Sequence, residues 1–443
     1  MHRRHLLITL SGTALTPLPA MATSHPARTT TAALGSSLRA GHTSVQDIAQ
    51  QHLDRIAAID RAGPKLNSII ELNPDALKEA KRLDALARKG QWLGPLHGIP
   101  VLLKDNVATG DRMCTTAGSL ALDGVRATRD ANIVQRLREA GALILAKTNL
   151  SEWANIRSSR STSGWSSRGG LTRNPYALDR NTSGSSSGTA AAIAAGLGVL
   201  GVGTETDGSI VSPACRNGLV GLKPTVGLIS RDGIIPISHT QDTAGPMTRT
   251  VADAAALLTA MVGRDERDSA THTSPAASPE EIVLRLDALR GARLGVARNQ
   301  LSSHPGVNAL FESALKRLES LGAELVEVQA PSPSKWSQDE LTVLLVELKA
   351  GLAQYLSDFA PHARVRNLDD VIAFNEAHAD RVMPHFGQEL FLRAQALGGL
   401  DSAEYRQALD NCRRLARTEG LETVFAHHRL SALVAPTGGL AHL

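Results

Sequence analysis

The chain has 443 residues, enough to bury a sizeable hydrophobic core as one large domain or as two. Hydrophobic residues make up 42% of it, as in an ordinary soluble globular protein, and aromatic residues only 3%, so the core must consist of Ala, Leu, Ile and Val. The net charge of +4 comes without a concentrated basic block, which argues against a nucleic acid as partner.

The N-terminus has the order of a removable export signal. An Arg-Arg pair stands at positions 3 and 4, a mostly apolar run follows at 6–18, and small residues at 20–22 offer a cleavage site. The apolar run is too short to span a bilayer, so we expect no membrane partner. The Arg-Arg pattern resembles a twin-arginine signal and predicts a periplasmic or secreted protein. The alternative is a disordered basic N-terminus.

Residues 23–43 are rich in Ser, Thr, Ala and Gly, and we predict a flexible lead-in there. Strand-like and helix-like patterns alternate along the rest of the chain, which indicates an α/β fold with a mainly parallel or mixed sheet. The predicted strands are 101–103, 142–146, 197–202, 292–297, 323–328 and 430–434, and the predicted helices are 44–59, 74–89, 131–140, 187–196, 251–261, 308–321, 341–359 and 403–419.

The most informative stretch is residues 181–214, where two Gly/Ser-rich loops flank a short apolar segment. Ser185 stands at the start of the predicted helix 187–196. Ser209 stands just past the predicted strand 197–202, in a turn that an Asp-Gly pair favours. Open α/β sheets bind their ligands beyond the carboxyl ends of the strands, so both serines are candidates for a functional site.

These motifs resemble the amidase signature family. Ser185 and Ser209 reproduce the family's interval between two catalytic serines (209 − 185 = 24), and Lys104 follows a Gly-Ile-Pro turn and an apolar strand, as the family's catalytic lysine does. The resemblance covers the chain from about residue 44 to its end. The stretches 203–209 and 233–238 are closest in motif to the bacterial peptide amidases, which remove the C-terminal amide of peptides.

The resemblance implies an α/β amidase-signature fold over residues 44–443, a single large domain with a central mixed twisted sheet flanked by helices. It also implies a serine amidohydrolase that needs no cofactor and converts a carboxamide, such as the C-terminal amide of a peptide, to acid and ammonia. The chain ends soon after a Pro-Thr-Gly-Gly stretch at 436–439, where family members normally continue. We therefore expect the fold to lack its C-terminal portion.

The family assigns a role to each matching residue. Ser209 would attack the amide carbonyl, Ser185 would relay the proton, and Lys104 would be the general base. In the family the peptide before the bridging serine, here Gly184–Ser185, is cis. The oxyanion hole would consist of backbone N–H groups of Thr206, Asp207, Gly208 and Ser209, which a tight turn aims at one point.

A lysine can act as a base only when it is neutral, and its ordinary pKa is roughly 10.4. Burial of Lys104 behind the apolar strand 101–103 would lower this pKa. A carboxylate facing the amine would oppose that shift, so we expect Asp105 to point away. Lys147 is a rival base, but it lacks the Gly-Ile-Pro context.

The sequence is less specific about the substrate than about the catalytic residues. Trp153 and Asn155 are candidates for lining the pocket. The arginine that often follows Ser-Ile in the family is replaced by Val211, which argues against a small carboxylate substrate and favours a neutral amide or a peptide. Asp207 stands where glycine is commoner, and it either recognises the substrate amide or caps the local structure.

The three cysteines, Cys114, Cys215 and Cys412, have no zinc-site spacing, and we expect no metal. We expect a monomer or a homodimer. Two alternatives stay open. One is the amidase subunit of a tRNA-dependent amidotransferase, which needs protein partners and tRNA, although the export signal argues against it. The other is a catalytically inactive, truncated amidase-like binding protein.

Overall fold

The computed structural model describes residues 29–273, 282 and 284–441 of the chain. The export signal predicted over residues 1–22 lies outside the described residues. The described strands are β1 (Ile69–Leu72), β2 (Pro100–Lys104), β3 (Leu143–Thr148), β4 (Trp165–Ser166), β5 (Gly170–Leu171), β6 (Leu200–Glu205), β7 (Val220–Gly221), β8 (Thr243–Thr248), β9 (Arg293–Ala297), β10 (Glu324–Val328) and β11 (Ala432–Val434).

Helices surround these strands, as the alternating pattern predicts. The described α-helices are α1 (Thr31–Arg39), α2 (Val45–Arg55), α3 (Ala76–Arg88), α4 (Asn132–Glu139), α5 (Ser187–Ala194), α6 (Val211–Arg216), α7 (Val251–Met261), α8 (Pro305–Ser320), α9 (Ser337–Phe359), α10 (Leu368–Ala377), α11 (Ala379–Val382), α12 (Glu389–Ala396), α13 (Ala403–Cys412) and α14 (Glu422–His428). Over the same ranges, no helix combines the length and apolar character that crossing a membrane requires.

The central sheet has six described strands in the order β1-β3-β2-β6-β8-β7. Strand β2 runs parallel to both its neighbours, β3 and β6, while β1, β8 and β7 pair antiparallel. The mixed sheet that the sequence predicts is therefore confirmed. Leu103 stands opposite Val202, so the carboxyl ends of β2 and β6 meet at the same edge. A second, three-stranded parallel sheet, β10-β9-β11, lies further along the chain.

Helix α5 is buried on every side, as its apolar and small residues require. Glycine allows its closest approach to the sheet, because a Cβ at Gly188 would lie 2.4 Å from the carbonyl oxygens of Asn149 and Ser68. The helix ends where Gly196 takes a φ of +70°, with the Leu197 N–H bonded to the Ala192 carbonyl. The cap extends to Leu197, the first residue of the predicted strand 197–202, and β6 begins only at residue 200.

The prediction of a flexible lead-in over residues 23–43 is wrong for α1. Thr30 caps this helix through its side-chain oxygen, which accepts the Ala33 N–H at 3.2 Å. The Thr31 N–H donates to Asp253 of α7 at 2.8 Å, and Leu38 is buried. Ser, Thr and Ala are as compatible with a capped helix as with a linker, and these tertiary contacts decide between the two.

The largest buried cluster fills the space between the central sheet and the helices around α9. It joins Leu103 and Val107 at the end of β2 to Leu345 and Leu352 of α9 and to Phe391 of α12. The end of β2 and the turn that follows it therefore sit in a dry, close-packed environment.

Candidate active site

Lys104 is the last residue of β2, and its side chain is fully buried at the carboxyl end of the central sheet. Its Nζ lies 2.7 Å from Ser185 Oγ, 2.9 Å from Thr204 Oγ1 and 3.2 Å from the Thr204 carbonyl oxygen. Thr204 belongs to β6, and Ser185 lies in the loop before α5. Three neighbouring segments therefore place a lysine amine against a serine hydroxyl, as the family resemblance implies.

The environment of Lys104 favours the neutral form of its amine. Burial lowers its pKa from 10.5 to about 7, although the charges of Asp242 and Glu205 act in the opposite direction. A neutral amine has two N–H donors and one lone pair. Because the Thr204 carbonyl can only accept, it takes one N–H, and the lone pair can face the hydroxyl proton of Ser185.

Asp105 points away from Lys104, as expected. Its carboxylate accepts the Thr116 hydroxyl and lies 4.0 Å from the Nζ of Lys147. Lys147 is also fully buried, and it donates to the Val107 carbonyl at 2.6 Å and to Thr115 Oγ1 at 2.9 Å. Within the part of the chain that the structure describes, the Lys147 amine has no hydrogen bond to a serine, so the geometry favours Lys104 over this rival base.

Ser209 lies beside Ser185 in a narrow pocket at the carboxyl end of β6. Only 8% of Ser209 is exposed, and the Ser186 N–H donates to its carbonyl oxygen at 3.1 Å. The Gly184–Ser185 peptide is cis. Among the hydrogen bonds of the described residues, none joins the two serine hydroxyls directly. The pocket is lined by Asn106, Ala154, Ser185, Thr204, Thr206, Ser209, Ile234, Ile235, Ile237, Asp242 and Thr243.

The turn that carries Ser209 is held by the buried carboxylate of Glu205. One oxygen of Glu205 accepts the Gly208 N–H at 2.9 Å, and the other accepts the Ile210 and Val211 N–H groups at 2.7 and 2.9 Å. A carboxylate that accepts several backbone N–H groups fixes the turn on both sides of Ser209. Helix α6 begins immediately after it.

This arrangement corrects one oxyanion prediction. The N–H of Gly208 is already donated to Glu205, so it is not the free donor that the sequence predicts. In the described part of the chain, no acceptor is bonded to the N–H groups of Thr206, Asp207 or Ser209. Those three groups stay candidates for the oxyanion hole.

Asp242 connects the same turn to the opposite wall of the pocket. It accepts the Thr206 hydroxyl with one oxygen and the N–H groups of Ile237 and Ser238, each at 2.8 Å, with the other. Burial raises the pKa of Asp242, and the three hydrogen bonds act against that shift. The pocket wall and the turn that carries Ser209 are therefore held together by one carboxylate.

Trp153 and Asn155 do not line this pocket. Trp153 is only 2% exposed and packs edge-on against Phe391, with ring centroids 5.9 Å apart, so it belongs to the hydrophobic core. Asn155 donates to Ser163 Oγ at 3.4 Å. Ala154, between them, is the residue that faces the pocket. The substrate-binding prediction is wrong for Trp153, whose ring the local backbone turns into the core, and for Asn155 it stays a prediction.

The backbone conformation of three consecutive residues determines where the side chains of Trp153 and Asn155 point. Trp153, Ala154 and Asn155 have φ values of 51°, 53° and 76°, a left-handed conformation that costs roughly 1–2 kcal/mol per residue without glycine. A fully buried ion pair between Glu152 and Arg157 closes the ends of this segment. The ion pair thus holds a strained backbone that presents Ala154 to the pocket.

Sequence reasoning missed Asn106, Thr204, Glu205 and Asp242. Periodicity gives no signal for Asn106, because β2 ends at Lys104 and Asn106 stands in the turn that follows it. That turn brings Asn106 beside Lys104, and both side chains bond to Thr204 Oγ1. Asp242 comes from a segment distant in sequence, and only the packing of β8 against β6 brings it here.

The comparison with known protein families decides the assignment, because the family model described as Amidase matches residues 47–442. This chain belongs to the amidase family. Its fold is therefore that of an enzyme that hydrolyses amide C–N bonds.

Relatives within the amidase family are similar over most of this chain. A probable amidase of Arabidopsis thaliana is 43% identical, over 86% of this chain and 74% of its own length. A glutamyl-tRNA(Gln) amidotransferase subunit of Thermobifida fusca is 38% identical, over 92% and 80%. The solved structure of the peptide amidase from Stenotrophomonas maltophilia is 51% identical, covers 96% of this chain and 86% of that chain, and has a TM-score of 0.91.

Proposed function

We propose that this amidase hydrolyses the C-terminal amide of peptides to the free acid and ammonia, with Ser209 as nucleophile, Ser185 as proton relay and Lys104 as general base. The observation that carries the proposal is the 2.7 Å contact between the buried, pKa-lowered Lys104 amine and Ser185, in the pocket that also holds Ser209. Serine is a weak nucleophile, and an adjacent base supplies the activation it needs.

Each proton that moves in the proposed reaction has a donor and an acceptor. Ser209 Oγ attacks the carbonyl carbon and gives its proton to Ser185, whose own proton passes to Lys104. The N–H groups of Thr206, Asp207 and Ser209 stabilise the oxyanion. When the C–N bond breaks, the proton returns through Ser185 to the leaving nitrogen, which departs as ammonia.

Water then attacks the acyl-enzyme by the same relay and frees Ser209 with the acid product. The relay needs the Ser185 and Ser209 hydroxyls in contact, and catalytic hydrogen bonds commonly tighten only when substrate is bound.

The pocket composition supports a neutral substrate. Ile234, Ile235 and Ile237 give one wall an apolar surface, and Val211 replaces the arginine that would attract a carboxylate. A C-terminal peptide amide is uncharged at the reacting end, so it can enter without an unpaired buried charge. Solved structures that are 51–52% identical to this chain are described as peptide amidases, which supports the same substrate class here.

The test is ammonia release from a C-terminally amidated dipeptide by the purified chain alone, compared with Ser209→Ala and Lys104→Ala. Both variants should lose release by about 10³-fold or more while their thermal unfolding stays cooperative. Ser313→Ala, an exposed serine on α8, is the matched control and should keep full activity. A folded wild type that releases no ammonia from amidated peptides would contradict the proposal.

The similarity to the amidotransferase subunit of Thermobifida fusca supports one second candidate. On that alternative, the chain would release ammonia only together with partner proteins and tRNA. Full activity of the isolated chain, which we expect, excludes such a dependence. The proposal also includes export through the signal predicted over residues 1–22, and fractionation of cells that express the full chain tests it, since a purely cytoplasmic protein would contradict it.

A further inference from the structure

Asn106 lines the reaction pocket and has a buried side-chain acceptor without a hydrogen-bond partner. The residue is only 3% exposed, and it lines the same pocket as Ser185 and Ser209. Its Nδ2 donates to Thr204 Oγ1 at 3.0 Å and to the Ile235 carbonyl at 3.4 Å. Its Oδ1 is buried and has no hydrogen-bond partner.

The orientation of this side-chain amide follows from its neighbours. A backbone carbonyl can only accept, so the atom of Asn106 that faces the Ile235 oxygen must be the NH2 group. The opposite atom is then the carbonyl oxygen. The partners of Nδ2, one of which is the Thr204 hydroxyl that also bonds Lys104, therefore hold Oδ1 in place as a fixed hydrogen-bond acceptor.

Buried polar atoms are nearly always paired, and an exception at a reaction centre indicates a ligand that supplies the missing donor. The same structure shows that the exception alone is insufficient, because Asn375 on α10 also has a buried, unpartnered Oδ1. The difference is location, since Asn106 faces the nucleophile pocket and Asn375 does not.

We propose that Asn106 Oδ1 accepts a hydrogen bond from the N–H of the substrate carboxamide and so selects amides over esters. This inference rests on the proposed function, and it makes Asn106 a catalytic residue that touches the leaving nitrogen. An acceptor here would repel an oxyanion. The substrate carbonyl oxygen must therefore face the N–H groups of Thr206, Asp207 and Ser209, and the nitrogen must face Asn106.

The contact persists through the reaction. A primary carboxamide has two N–H donors, and one of them can bond Oδ1 in the bound substrate. After the C–N bond breaks and the relay adds a proton, ammonia has three N–H donors, so Oδ1 keeps its partner until product leaves. An ester of the same acid places an oxygen without hydrogen at this position, and Oδ1 stays unpaired.

The experiment compares kcat/KM on a C-terminally amidated N-acetyl dipeptide and on the methyl ester of the same N-acetyl dipeptide. The enzymes are wild type, Asn106→Leu, which keeps the volume, and Asn106→Ala, which avoids a steric clash. We expect each variant to lose roughly 10- to 100-fold more on the amide than on the ester, because only the amide loses a hydrogen bond. Ester hydrolysis also reports that the variant is folded.

Asn375→Leu is the matched control, because it removes another buried Asn carbonyl oxygen, outside the reaction pocket. It should change amide and ester hydrolysis equally. Equal losses on amide and ester in both Asn106 variants would overturn the inference and leave Asn106 a structural residue.

The same measurements distinguish a failure of the proposed function from a failure of the inference about Asn106. If wild type leaves amidated peptides intact, the peptide substrate is wrong, and the same comparison is made on a simple aromatic carboxamide and its methyl ester. A selective loss on that carboxamide supports the role of Asn106, and an equal loss overturns it.

Discussion

The Nζ of Lys104 lies 2.7 Å from the Oγ of Ser185, with no exposed surface on the lysine. This contact is productive only when the amine is neutral, because an ammonium has no lone pair for the serine proton. Burial lowers the pKa of Lys104 to about 7, which makes a substantial neutral fraction available near neutral pH.

The first prediction is the pH dependence of kcat/KM. The base must be deprotonated, so kcat/KM should rise about tenfold per pH unit below the Lys104 pKa of about 7 and level off above it. The measurement uses an N-acetylated peptide amide, which has no ionisable group of its own in this range. A profile that is flat from about pH 5 to 9 would show that another group, or none, is the base.

The second prediction concerns Lys104 and distinguishes the effect of a positive charge from that of a base. In Lys104→Arg the side chain has hydrogen-bond donors and a permanent positive charge, because a guanidinium stays protonated throughout the physiological range. We expect kcat to fall by about 10²–10⁴-fold, the usual contribution of a general base. Circular dichroism and thermal unfolding check the fold of the variant. Retention of activity would indicate that Lys104 acts only as a positive charge.

The third prediction concerns Glu205, whose two oxygens accept the N–H groups of Gly208, Ile210 and Val211. Glu205→Gln places an NH2 group against backbone donors and removes the charge, so we expect a loss of about 1–3 kcal/mol in the free energy of unfolding. The kcat should fall as the Ser209 turn loosens, with a smaller change in KM.

Urea unfolding and steady-state kinetics measure both effects. Glu139→Gln, at the end of α4, is the control, and it should stay within about 0.5 kcal/mol of wild type. An unchanged kcat in Glu205→Gln would mean that the turn keeps its shape without the carboxylate.

Several parts of this structure depend mainly on the local sequence and can therefore be predicted from it. The strand before Lys104 is a continuous apolar run, and helix α5 is rich in small residues, so hydrophobic pattern and composition suffice for both. The positions proposed for the lysine and the two serines follow from the resemblance of short motifs to the amidase signature family. The mixed order of the central sheet also agrees with the alternation of strands and helices.

The predictions that fail depend on backbone conformation or on distant contacts. Trp153 is of a residue type that often lines pockets, but three successive left-handed residues turn its ring into the core. The composition of residues 31–39 is that of a linker. These residues form a helix because it docks on α7, where Asp253 accepts a hydrogen bond from it. Gly208 has the right position for an oxyanion donor, yet Glu205, three residues earlier, takes its N–H. None of these outcomes follows from periodicity.

The fourth prediction tests the ion pair that closes the left-handed segment. Glu152 and Arg157 have no exposed side-chain surface, and the guanidinium also donates to the Val382 carbonyl at 2.7 Å. Arg157→Met leaves the Glu152 carboxylate buried without its partner, so we expect a loss of about 3–5 kcal/mol in the free energy of unfolding. The double variant Glu152→Gln/Arg157→Met should be more stable than the single one, because no lone charge stays buried.

Urea unfolding of the single variants, the double variant and wild type gives the coupling energy directly. Arg414→Met, at an ion pair whose side chains are half exposed, is the control and should cost about 0–1 kcal/mol. Because the buried pair holds the segment that presents Ala154, the double variant should also have a raised KM for peptide amides even where it is stable. A wild-type KM in that variant would show that the left-handed turn keeps its conformation without the pair.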